Sequence, residues 1–145
     1  MSKFRHGMDW ETLGGLSVAV HWNFKGKHWS VTVTERGHPL RGKVVLWSDT
    51  VALIDAYPKV SAAGRERVRR EGVKNVHARI HGAICVPSAA VYAIARTSQE
   101  VCYNPYTMEG FQYREGGARF RGTFAAHFTE KGKVWVSEEE RWLLP

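Results

Sequence analysis

The sequence has no run approaching the roughly 20 consecutive apolar residues needed to span a bilayer, which excludes a conventional transmembrane helix. The amino-terminal stretch "MSKFRHGMDWETLGG" also lacks the apolar segment of a secretory signal, so a soluble, intracellular chain is expected. Cysteine is scarce. Cys85 and Cys102 have no CxxC spacing, which supports neither a zinc cluster nor a disulfide framework, and two buried, reduced thiols are expected. There is no HExxH, GxxxxGKS, GxxxxGKT or GxSxG motif and no clustered aspartate pair. Carboxylates such as Asp49 and Asp55 are scattered, a poor basis for two-metal hydrolysis, and no metal site or cofactor is expected. Internal repeats, low-complexity tracts and linkers are also missing.

What remains is enough for one core. The 145 residues, 43% of them hydrophobic, match the size of a single domain covering 1–145. Lys and Arg number 21 against 14 Asp and Glu, giving a net charge of +7 that suits an anionic partner, nucleic acid being the commonest. The excess is concentrated in the middle of the chain. Between Lys59 and Gly82 stand Lys59, Arg65, Arg67, Arg69, Arg70, Lys74 and Arg79 against Glu66 and Glu71, whereas the tail "SEEERWLLP" is locally acidic.

Two-residue alternation dominates the apolar pattern. "LSVAVHWNF" (16–24) and "HWSVTVT" (28–34) read as half-buried strands joined by a two-residue Lys25-Gly26 turn. This pairing sets Trp22 opposite Trp29 and His21 opposite Ser30. Trp22, Trp29, Val20 and Val31 then share an apolar face, and His21, Asn23, His28, Ser30 and Thr32 share the other. Further strands are expected at 43–48, 50–54, 74–86, 100–104, 118–128 and 133–137. "SAAGRERVRREG" reads as a helix capped by Ser61 and ended by Gly72, and Pro87 opens a candidate second helix over 87–99. The expected architecture is an α+β domain, mainly an antiparallel sheet and open to curling into a barrel, with one basic helix and that second helix.

The basic helix runs straight into "KNVHARIHG", where period two places Asn75, His77, Arg79 and His81 on one side of a strand and Lys74 on the other. Helix and strand together form a candidate nucleic-acid surface from Arg65, Arg69, Arg70, Lys74, Asn75, His77 and Arg79, with Asn23 beside it. Aromatic residues are abundant, and single-stranded nucleic acid is held by aromatic faces beside a cationic groove. Tyr103 and Tyr106 flank an Asn-Pro turn in "CYNPYTMEGF" and are the exposed candidates for such stacking. The histidines support a second reading, in which His21 and His77 act as base and acid of a metal-independent nuclease or phosphodiesterase.

Three stretches, "AVHWNFKGKHWSV", "VSAAGRERVRREGVKNVHARIHG" and "CYNPYTMEGF", together resemble a group of small proteins encoded by tailed bacteriophages and prophages. These share a His-x-Asn strand, an Ala-Gly-Arg helix running into Lys-Asn-Val-His-Ala, and a Tyr-Asn-Pro-Tyr turn. The resemblance covers about half of the chain. It implies a phage or bacterial origin and a cytoplasmic setting, and brings no activity with it. The function expected is non-catalytic binding of DNA or RNA through the basic helix-strand surface. By analogy with small phage proteins generally, a protein-binding inhibitor of a host defence or replication enzyme is a third candidate.

Overall fold

The sequence that predicts a Trp22–Trp29 hairpin builds the centre of the fold. In a computed structural model, which describes residues 2–23, 25–60, 62–71, 78–87, 99–102, 112–113, 124–129 and 133–137, β2 (Ser17–Asn23) pairs antiparallel with β3 (His28–Val33). Trp22 stands opposite Trp29 and His21 opposite Ser30, in the expected register. The ladder ends at Asn23 and His28, so the connection is wider than a two-residue turn. The Asn23 carbonyl accepts from Lys27 N at 2.7 Å, its Oδ1 accepts from Gly26 N at 2.8 Å, and Lys27 takes a left-handed φ of 54°.

Around this hairpin lie β1 (Lys3–Phe4), β4 (Val44–Ser48), β5 (Val51–Val60), β6 (Ala78–Ile84), β7 (Gln99–Cys102), β8 (Gln112–Tyr113), β9 (Phe124–Phe128) and β10 (Val134–Ser137). All ten form one antiparallel sheet in the order β1-β4-β3-β2-β6-β5-β9-β10-β7-β8. The order runs from one edge to another without returning, so the sheet is open. It nevertheless curls. Trp29 in β3 and Phe128 in β9 are four strands apart, about 19 Å in a flat sheet, yet their ring centroids lie 4.8 Å apart. Trp29 Nε1 also donates to the Thr129 carbonyl at 2.9 Å. The apolar face thus wraps onto itself. Val18, Val20, Val31, Leu46, Leu53, Ile80 and Phe128 are buried there with the two tryptophans, whose centroids are 5.0 Å apart.

Two helices complete the described chain. α1 (Trp10–Leu13) is a single turn held by a capping box, in which Asp9 Oδ1 accepts from Thr12 N at 2.9 Å and Thr12 Oγ1 accepts from Asp9 N at 3.0 Å. α2 (Ala62–Glu71) is the expected basic helix. Every α2 side chain the structure describes is exposed. Among the described residues the fold is mostly β rather than clearly α+β, and the ten strands do not close into a barrel. The proposed helix over 87–99 and the segments 74–77 and 118–123 of two expected strands lie largely or wholly outside the described residues. Cys85 is half-buried rather than buried. Among the described residues no helix is long and apolar enough to cross a membrane.

Candidate functional site on the outer sheet face

β5 contains one residue too many for its partner. Ile54 pairs with Ala83 and Tyr57 with His81, so Asp55 and Ala56 together oppose Gly82, and Asp55 adopts φ 51°. This bulge inverts the alternation. Val51 and Leu53 point into the core before it, and regular spacing would send Tyr57 the same way; after the bulge Ala56 is buried and Tyr57 turns outward, 42% exposed. Gly82 makes the bulge feasible, because a Cβ there would lie 2.8 Å from the Ile54 carbonyl oxygen and 3.2 Å from Ala56 Cα. Outside, Tyr57 stacks on His81 with centroids 5.6 Å apart and planes 19° off parallel.

The Tyr57–His81 pair forms one wall of a groove of about 470 Å³. Arg79, two residues before His81, shares that wall, as the alternation of β6 expects. Ser17 and Thr32 also line it, with Glu35, Arg36 and Arg41 from the β3–β4 loop. The loop is folded tightly for its length. His38 N donates to the Glu35 carbonyl, Arg41 N to the His38 carbonyl and Gly42 N to the Val33 carbonyl, while Gly37 and Gly42 take positive φ and Leu40 packs against the core. Arg36, Arg41 and Arg79 are exposed, and among the described residues no carboxylate lies within 4.0 Å of them. Three guanidinium groups against one lining glutamate give the groove a positive field.

The same face carries a second ring cluster. Lys3, Trp47, Ser30 and His21 stand in successive register across β1, β4, β3 and β2. Arg5 Cζ lies 4.9 Å from the Trp47 ring centroid, Lys3 Nζ 5.8 Å and the His28 ring 5.5 Å.

The residues singled out from the sequence distribute unevenly. His21 is half-buried on this outer face, and with Arg79 it occupies the positions next beyond the Val20–Ile80 pair. Asn23 stands at the hairpin tip with its Oδ1 engaged by the turn. Arg65 lies in α2; Arg69 and Arg70 are exposed there, Arg69 paired with Glu66 and Arg70 Nη2 3.6 Å from Glu71. Lys74, Asn75, His77, Tyr103 and Tyr106 lie outside the described residues. Among the described residues no group of three His, Cys, Asp or Glu side chains is placed to hold a metal ion. Reading by sequence missed Arg36, Arg41, Tyr57 and Trp47. The loop "ERGHPLRGK" carried a usable signal, since it holds two arginines beside two glycines and a proline.

Comparison with known proteins agrees with the phage resemblance. A family model described as the Mycobacterium phage L5 gene 82 protein matches residues 12–136. The gene 82 protein of Mycobacterium phage L5 is 32% identical over 110 residues, covering 74% of this chain and 82% of that protein. No solved structure matches. The resemblance drawn from three short stretches thus extends over most of the chain, which belongs to the family of the Mycobacterium phage L5 gene 82 protein.

Proposed function

We propose that this protein binds single-stranded nucleic acid, without catalysis, along the outer face of its sheet. One observation carries the reading: aromatic rings and cations stand together at two places on that face, Lys3, Arg5 and Trp47 at one end and Arg79, His81 and Tyr57 at the other. Such interleaving suits a strand whose bases stack while its phosphates meet guanidinium groups. The net charge of +7 favours the same partner. The basic helix expected to lead the contact plays a flanking part, because its four arginines share the helix with Glu66 and Glu71. Exposed pairs of this kind are weak, so phosphate can still compete for those arginines. Such a role belongs in the cytoplasm of a bacterial host.

Anisotropy of a labelled 12-nucleotide single strand, titrated between low and moderate salt, tests the proposal. With Arg36, Arg41 and Arg79 on phosphates, the log-log salt slope is expected near about −2, at roughly −0.7 per contact. A duplex of the same sequence should bind more weakly. Absence of binding at low salt, or an affinity indifferent to salt, overturns the reading and returns attention to a protein partner.

A further inference from the structure

We infer that the groove beneath the β3–β4 loop is a seat for one nucleotide unit, with the base stacked on Tyr57 and the phosphate held by Arg36, Arg41 and Arg79. The inference rests on the nucleic-acid reading for its strand-bound form, but the seat would serve a free nucleotide by the same chemistry. A volume of about 470 Å³ falls within the range of small-ligand sites. His81 covers one face of the Tyr57 ring, and the 42% exposure of Tyr57 leaves ring surface open for a base. The two parts of the ligand meet matched parts of the groove. A planar, π-faced base suits the stacked pair, whereas a phosphate suits three guanidinium groups that no described carboxylate engages.

The remaining lining sets orientation. Glu35 repels phosphate and accepts hydrogen bonds, so its carboxylate suits a sugar hydroxyl or an exocyclic amino group, and the phosphate seats toward Arg41 and Arg79. Ser17 and Thr32 add hydroxyls that donate or accept. The loop is braced by its own hydrogen bonds and by Leu40, so Arg36 and Arg41 start from a held backbone rather than a free tether.

Adenosine 5′-monophosphate, adenosine and inorganic phosphate are titrated by calorimetry, and the monophosphate is also used to compete against the labelled 12-nucleotide strand. The monophosphate should bind more tightly than either half and displace the strand. Tyr57→Ala should weaken both ligands about ten- to a hundredfold, the worth of one stacked base, and Tyr57→Phe should not. Arg41→Gln should weaken both and make the strand's salt slope shallower by about 0.7. If the strand binds with a steep salt slope but the monophosphate neither binds nor competes, and Tyr57→Ala and Arg41→Gln behave as wild type, the seat is overturned while the outer-face reading stands. If the monophosphate binds in a Tyr57-dependent way and no strand does, the seat stands for free nucleotide and the strand reading falls. If neither ligand binds, both are overturned.

Discussion

Replacing Gly82 by alanine tests the bulge that turns Tyr57 outward. The new methyl would stand 2.8 Å from the Ile54 carbonyl oxygen, 3.1 Å from Leu53 Cβ and 3.2 Å from Ala56 Cα. Two of those atoms belong to backbone, and Leu53 and Ala56 are fully buried, so no flexible side-chain tip can yield. Overpacking of this kind costs about 1 to 3 kcal/mol. Against it stands the loss of unfolded-chain freedom on replacing glycine, which stabilises by about 0.4 to 1 kcal/mol where the conformation is compatible. The net expectation is a loss of about 1 to 2 kcal/mol, which lowers a urea midpoint by roughly 0.5 to 1 M at an ordinary slope. Unfolding by urea, followed by tryptophan emission, measures the midpoint. The same variant should weaken any ligand that stacks on Tyr57, because β5 must move away from β6 where that ring sits. A Gly82→Ala protein as stable as wild type would refute the close approach of the two strands, and with it the explanation of why Tyr57 faces outward.

Two other outcomes are expected. His127 is 4% exposed, and burial holds its imidazole below the ordinary value of 6.5, so the unfolded chain takes up a proton more readily than the folded one. Stability is then full above about pH 6.5 and declines as pH falls from there, by at most about 1.4 kcal/mol per pH unit from this group; melting curves from pH 7.5 to 5.5 should flatten in His127→Gln, and an unchanged slope would show that other groups govern acid sensitivity. Trp29→Phe removes the 2.9 Å bond to the Thr129 carbonyl and leaves that acceptor without its donor, at a cost of about 1 to 3 kcal/mol. A melting temperature equal to wild type would mean that water or another donor replaces the indole.

Much of the central sheet was legible because alternation is a local property. His21, Ser30 and Thr32 against Val20, Trp22, Trp29 and Val31 requires only period two, and the register follows from centring the connection on Lys25-Gly26, although the connection itself is wider than two residues. Arg79 and His81 were assigned to one face for the same reason, and both line the groove. The strand expected over 50–54 ends at Ile54, whereas β5 runs on to Val60 through Asp55 and Pro58, residue types that favour turns. One inserted residue inverts the parity of everything after it, and only pairing with β6 reveals which residue is extra. β1 and α1, two and four residues long, are too short to carry a period. The groove itself joins β2, β3, β5, β6 and the β3–β4 loop, so its arginines could not be grouped before the topology was known. α2 concentrates charge along the chain, whereas the groove draws its arginines from β6 and the β3–β4 loop, which are far apart in sequence.

The contact between Trp29 and the Phe128–Thr129 segment bears on how the protein is made. The partners are 100 residues apart, so at ribosomal speeds of roughly 5 to 20 residues per second the indole of Trp29 waits about 5 to 20 seconds for the segment that covers it. β2, β3 and β4 can pair during that interval, but Phe128 and Thr129 are not yet there to meet Trp29. The nascent chain therefore carries the Trp29 indole without its Thr129 acceptor until β9 emerges, and closure of the curl waits for that strand, when distant strands meet at the entropic cost of a long loop.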